Sequence, residues 1–194
     1  GGNQTVGGTV RGMHTCATSP TVVTGGGVGF GGGDQTINGN VTGLVCSSLN
    51  TNSQGVYWVG GNSTFNANVA GTAIVSEGLY FYGGSVAIGG NVNVTGVASG
   101  SGTGVRFGAG AVTFNTAAGQ YVNIVGSSAT NVGVAVDSGV SQAFANNGSG
   151  NLTLMGSSNT GYGIAINGTA LSINNTGAGN INVVGYTNAT TSGA

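Results

Sequence analysis

Side chains able to move protons or hold metal ions are few in this chain. Its 194 residues include five formally charged side chains, Arg11, Asp34, Glu77, Arg106 and Asp137, one histidine, His14, and two cysteines, Cys16 and Cys46. Acid–base cleavage of a glycosidic bond needs two carboxyl groups about 5–9.5 Å apart. Glu77 and Asp137 are the only pair whose spacing invites that reading, and with no third group beside them they read as isolated, solvated charges. A Ser-His-Asp set needs a specific geometry around the histidine, which one His14 among many Ser and Thr does not supply; it reads as a surface or edge residue. Metal sites need three or four clustered ligands, and no C-x-x-C spacing is present. Gly25 to Gly33 is glycine-rich but leads to no lysine of a phosphate-binding loop. The expectation is a protein without catalytic residues, metal or cofactor, and so not an enzyme.

Composition excludes further classes. Gly supplies 43 residues and charged types only 3%, against roughly 7% Gly and 25% charged in an average domain. There is no basic surface to neutralise phosphates, so nucleic acid is not an expected partner. No apolar run approaches the ~18–20 residues of a membrane helix, so no membrane insertion is expected. A single proline, Pro20, and glycines that do not recur every third residue exclude collagen. Gly costs about 1 kcal/mol per helical position, while Val, Thr and Asn favour strands and turns. Short alternating runs such as Val92-Asn93-Val94 and Ile164-Ala165-Ile166, separated by Gly, Asn and Ser clusters, give an all-β pattern.

A repeat of about thirty residues organises these runs. Asn3-Gln4-Thr5-Val6 returns as Asp34-Gln35-Thr36-Ile37, Asn62-Ser63-Thr64-Phe65, Asn91-Val92-Asn93-Val94, Tyr121-Val122-Asn123-Ile124, Asn151-Leu152-Thr153-Leu154 and Asn180-Ile181-Asn182-Val183. The fourth position is always apolar and the third always Thr or Asn. Strand alternation then aims Val6, Ile37, Phe65, Val94, Ile124, Leu154 and Val183 inward as one core column. Two further strand-like runs follow in the later repeats, at 105–107, 134–136 and 164–166 and at 112–114, 143–144 and 171–173. Three strands per coil of about thirty residues describe a right-handed parallel β-helix. A single array over 1–194 is expected, with coils starting near 3, 34, 62, 91, 121, 151 and 180 and the last incomplete. With no initiator Met or signal peptide in the chain, it reads as a segment of a longer protein or a subunit whose ends meet others. Stacked Asn side chains can hydrogen-bond in ladders, whereas stacked like charges repel, which accounts for the scarcity of charge. Glu77 and Asp137 take a similar phase two coils apart, about 9.6 Å along the axis.

In that frame Cys16 and Cys46 fall near one another on adjacent coils, within the Cα separation a disulfide tolerates. A bridge between them implies an oxidising compartment. Buried free thiols, or a metal or redox site, are the alternatives. Alternation turns Trp58 and Phe81 inward and Tyr57, Tyr80 and Tyr82 outward, and an outward tyrosine cluster is a surface for glycans or a neighbouring molecule. Acceptor triplets for N-glycosylation stand at Asn3, Asn40, Asn62, Asn93, Asn147, Asn151, Asn167, Asn174 and Asn188. Gly31-Gly32-Gly33-Asp34 has the look of a calcium-binding nonapeptide, but that repeat needs an Asp in every turn.

The segments Gly-Asn-Leu-Thr-Leu-Met-Gly (150–156), Thr-Gly-Tyr-Gly-Ile-Ala-Ile (160–166) and Ala-Leu-Ser-Ile-Asn-Asn-Thr-Gly-Ala-Gly-Asn-Ile-Asn-Val-Val-Gly (170–185) resemble the repeats of filamentous-haemagglutinin-like exoproteins exported by two-partner secretion. The resemblance spans about 34–194. It implies a right-handed β-helix, an extracellular or cell-surface location, and a role as an adhesin or in a biofilm matrix. Host or neighbour cell-surface glycans or proteins would be the partners. The main expectation is therefore a non-enzymatic structural and adhesive β-helix. The alternative is a filament subunit stacking end-to-end on itself through open sheet edges. Ice binding through the outward Thr and Asn column is a minor third.

Overall fold

The computed structural model describes residues 3–14, 27–31, 33–45, 54–59, 61–82, 85–108, 112–137, 142–146, 148–167, 171–175 and 177–188. They form a β-solenoid of short strands with every pairing parallel, and no helix occurs among them. The first coil holds β1 (Gln4–Val6), β2 (Val10–His14) and β3 (Val28–Gly31). The second holds β4 (Gln35–Ile37), β5 (Val41–Val45) and β6 (Val56–Val59), and the third β7 (Ser63–Phe65), β8 (Val69–Ala73) and β9 (Leu79–Tyr82). Next come β10 (Val86–Gly89), β11 (Val92–Ala98) and β12 (Val105–Phe107), then β13 (Val112–Asn115), β14 (Tyr121–Ser128) and β15 (Val134–Val136). Then follow β16 (Gln142–Asn146), β17 (Asn151–Ser158) and β18 (Ile164–Ile166), and finally β19 (Leu171–Asn175) and β20 (Ile181–Thr187). Sheet A stacks β1, β4, β7, β10, β13, β16 and β19, sheet B stacks β2, β5, β8, β11, β14, β17 and β20, and sheet C stacks β3, β6, β9, β12, β15 and β18.

The column expected to run from Val6 to Val183 divides between two sheets. In sheet A, Val6 pairs with Ile37, Ile37 with Phe65, Phe65 with Ile88 and Ile88 with Phe114. In sheet B the column is Val10, Val41, Val69, Val94, Ile124, Leu154 and Val183. The coil starts expected at 91, 121, 151 and 180 therefore precede sheet B strands, whereas those at 3, 34 and 62 precede sheet A. The cause is one shortened coil. Phe65 to Ile88 is 23 residues, and the step from Ile88 across to Val94 adds six, so the jump from Phe65 to Val94 imitates a full period. Both sheets open their strands with the same Asn–x–polar–apolar run, which hides the change of sheet.

The corners absorb length unevenly. From sheet A to sheet B the chain takes four residues between Ile37 and Val41 but ten between Phe114 and Ile124. From sheet B to sheet C it takes eighteen between Val10 and Val28 but ten between Val69 and Leu79.

The interior holds two kinds of column. One is aromatic: Phe30, Trp58, Phe81 and Phe107 stack within sheet C at centroid spacings of 5.2, 4.8 and 4.9 Å, with planes within 9° of parallel. Both indole faces are thus covered, and Phe65 from sheet A meets the indole perpendicularly at 4.7 Å. The indole N–H is buried without a hydrogen-bond partner. Other buried polar groups are bonded locally. Ser63 Oγ donates to Gln35 Oε1 at 3.0 Å, and Thr116 Oγ1 donates to Asn146 Oδ1 at 3.1 Å.

The second kind of column is glycine. Gly12, Gly43, Gly71, Gly96, Gly126, Gly156 and Gly185 take the same position in all seven strands of sheet B. They point inward, where a Cβ at any of the first six would overlap the carbonyl oxygen of Gly27, Gly55, Gly78, Gly104, Gly133 or Gly163 at the entrance to sheet C. Two backbone columns thus touch directly, and a core this close-packed has no slack for a methyl group. Ser128 and Ser158 close the arch between the two columns, each Oγ accepting a backbone N–H three residues on, at 2.9 and 2.8 Å. Gly126→Ala is therefore expected to lower unfolding stability by about 3 kcal/mol or more. Gly7→Ala, whose Cβ meets nothing within 4 Å, should stay within about 0.5 kcal/mol of the parent. Urea midpoints of the two variants measure the difference, and equal midpoints would refute the close-packing account.

Candidate functional site

Side chains with unused hydrogen-bonding capacity gather on the outer face of sheet C. Alternation along β6, β9 and β12 turns Val56, Trp58, Leu79, Phe81, Val105 and Phe107 inward, so Tyr57, Tyr80, Tyr82 and Arg106 stand outward. Tyr57, Tyr80 and Arg106 follow one another in one outward column. Gly29 lies before Tyr57 in that column, and its missing side chain leaves the space the Tyr57 ring fills. Tyr80 likewise occupies the space above Gly108. Tyr80 and Tyr82 lie 5.5 Å apart between centroids, tilted by 44°, and the Arg106 guanidinium carbon sits 5.3 Å from the Tyr80 centroid.

Glu77 and Asp137 are not isolated charges. Arg106, one coil from each, donates from Nη1 to Glu77 Oε1 at 2.8 Å and from Nε to Asp137 Oδ2 at 2.7 Å. Gln54 Nε2 at 3.3 Å and Ser76 Oγ at 3.1 Å donate to the other Glu77 oxygen. An acid–base–acid ladder thus runs along the axis over three coils. Stacking charges of alternating sign reverses the repulsion that like charges would suffer. The signal was present in the sequence, since Arg106 is 29 residues past Glu77 and 31 before Asp137, one coil each way. The two carboxylates alone do not reveal it; the cation between them does.

The tyrosine beside this ladder feels its surroundings. Burial raises the Tyr80 pKa above its ordinary 10.0, Arg106 opposes that rise, and Asp137, Glu77 and Tyr82 add to it. Burial likewise opposes the charge on Arg106, but its bonds to Glu77 and Asp137 outweigh that and raise its pKa.

Most other polar side chains serve the lattice. Asn3 Oδ1 accepts the backbone N–H of Asp34, Asp34 Oδ1 that of Asn62, and Asn62 Oδ1 that of Ser85, forming a ladder of carbonyl acceptors before sheet A. Asn40 and Asn68 do the same before sheet B, to Asn68 and Asn93. Asn91 and Asn151 continue the pattern to Tyr121 and Asn180. Side-chain amides also stack, as where Asn123 Nδ2 donates to Asn93 Oδ1 at 3.0 Å and Asn66 Nδ2 to Asn38 Oδ1 at 2.9 Å. Among the glycosylation triplets, Asn93 and Asn188 spend their Nδ2 on Asn68 and Asn159. Asn3, Asn40, Asn62, Asn151 and Asn167 are exposed. Asn174 lies in β19, and Asn147 is outside the described residues.

Cys16 and Cys46 also lie outside the described residues, which contain no disulfide. The described register of β2 with β5 ends at His14 opposite Val45. His14 thus closes β2 at the far end of the molecule from Asp137 in sheet order. No group of three or more His, Cys, Asp or Glu among the described residues is placed to hold a metal ion, and none of the described segments is a helix long and apolar enough to cross a membrane. The Thr column weighed for ice binding is also split. Thr5, Thr36 and Thr64 lie on sheet A, interrupted by Ala87 before Thr113, and Asn93, Asn123, Thr153 and Asn182 lie on sheet B.

Comparison with protein-family models, curated proteins and solved structures finds no match to this chain.

Two measurements check the site. Arg106→Met is expected to cost about 1 kcal/mol, because it leaves two carboxylates facing each other across one coil, a repulsion that solvent partly screens at this half-exposed site. The loss should shrink when Glu77→Gln is added, and strict additivity in that double-mutant cycle would dissolve the ladder. A raised folded-state pKa at Tyr80 stabilises the fold fully below pH 10 and loses that contribution as pH climbs through the folded value. Absorbance titration at 295 nm should therefore show a late-ionising phenol that Tyr80→Phe abolishes.

Proposed function

We propose that this chain is a non-enzymatic, extracellular structural and adhesive β-solenoid of a bacterial surface or secreted protein, of the haemagglutinin-like kind that its repeats resemble. The observation that carries this reading is the division of polar labour. Asn, Asp and Ser side chains across the solenoid are spent on coil-to-coil bonds, while three tyrosine rings and one guanidinium are set out together on the outer face of sheet C. Both Glu77 oxygens and one Asp137 oxygen are engaged by Arg106, Gln54 and Ser76. Parallel stacking on a common cross-section suits a shaft that holds such a face at a distance from its anchor. The near-neutral exterior suits an extracellular setting, where contacts with a surface are made by shape and stacking.

Beads coated with the chain should attach to bacterial biofilm or to cultured epithelial layers several-fold more than albumin-coated beads. Attachment no better than albumin on both surfaces, or release of new reducing ends from a polysaccharide incubated with the protein, would overturn the proposal.

A further inference from the structure

We infer that the outer face of sheet C, around Tyr57, Tyr80, Tyr82 and Arg106, is a binding site for a neutral glycan chain. The inference rests on the adhesive reading above and names its target.

The aromatic groups are laid down rather than merely exposed. The Tyr57 ring covers Gly29 and the Tyr80 ring covers Gly108. Tyr57 thus leans over β3, and Tyr80 over the residue that follows β12. Tyr57 and Tyr80 are half-buried there, and the Arg106 guanidinium lies over the Tyr80 ring. Tyr82, half exposed at 50%, extends the surface beside Tyr80. Sugar rings carry faces of C–H groups that pack on aromatic faces, while their hydroxyls at the rim seek planar hydrogen-bonding partners.

Those partners are present and already oriented. Arg106 spends Nε and Nη1 on Asp137 and Glu77. Its Nη2, with two N–H groups, has no partner among the described residues. The second oxygen of Asp137 and the hydroxyls of the three tyrosines likewise have no hydrogen bond among them. Because the ion ladder holds the guanidinium in place, little conformational freedom remains to be lost on binding.

Charge selects among glycans. One guanidinium stands between two carboxylates, so the local sum is negative. An approaching sulfate or uronate would meet a cation already neutralised and an excess of like charge. A neutral chain meets no such penalty and gains both the stacking and the free donors. The same balance disfavours nucleic acid and acidic peptides.

The test is affinity electrophoresis of the full chain through native gels. One set contains neutral polysaccharide (galactomannan, xyloglucan or hydroxyethyl cellulose), the other dextran sulfate or alginate. Retardation is expected in at least one neutral gel, weakened tenfold or more by Tyr82→Ala and by Tyr57→Ala and unchanged by Arg11→Ala. In the unmodified protein, the retarding polysaccharide should also protect Tyr82 from nitration by tetranitromethane. That measurement stands if a variant fails to fold. No retardation in any neutral gel, retardation in the anionic gels alone, or retention and nitration both indifferent to Tyr82 would overturn the site. Coated beads that attach to cells while the gels stay blank overturn this inference and leave the adhesive reading standing. Beads that fail to attach overturn the adhesive reading, whatever the gels show.

Discussion

The contact on which the rest of this solenoid depends is the one between two glycine columns. Gly43, Gly71, Gly96, Gly126 and Gly156 present bare backbone to the carbonyls of Gly55, Gly78, Gly104, Gly133 and Gly163. That approach fixes the distance between the exit of sheet B and the entrance of sheet C. It also sets the depth available to the aromatic stack beside it. Many of the 43 glycines are thereby explained by proximity rather than by turns. Positive φ is confined among the described residues to four of them, Gly33, Gly61, Gly90 and Gly119, each just before the chain enters a strand. Two roles of glycine, absence of bulk and backbone freedom, are thus assigned to different positions.

Along the axis, a second constraint follows from stacking like upon like. Every outward side chain sits about 4.8 Å from its counterparts, so neighbouring residues in a column must attract or at least tolerate one another. Asn meets this condition by offering an acceptor to the next coil's backbone N–H and a donor to the preceding amide. The charged residues of sheet C meet it by alternating in sign. The scarcity of charge and the abundance of Asn are two results of the same geometry.

Much of the architecture was legible because strand alternation is a local signal. The inward turn of Trp58 and Phe81 against the outward turn of Tyr57 and Tyr80 needs only neighbouring residues, and the parallel stacking needs only a repeat. Register was harder. Nothing local distinguishes Asn62-Ser63-Thr64-Phe65, which enters sheet A, from Asn91-Val92-Asn93-Val94, which enters sheet B, and the short third coil made the two look one period apart. The glycine column lay open at 12, 43, 71, 96, 126, 156 and 185, but glycine is expected at corners, so its recurrence inside strands went unread. The ion ladder was hidden for a different reason. It is a through-space relation among residues 29 and 31 apart, visible only when opposite charges on successive coils are sought together.

The strands keep their stacking while the segment from sheet A to sheet B lengthens from four residues to ten and that from sheet B to sheet C shortens from eighteen to ten. Fit between successive layers is therefore decoupled from contour length. A layer copied in tandem would meet its neighbours through the same parallel backbone pairing whatever its corner lengths, leaving only its outward side chains to be fitted to their own copies.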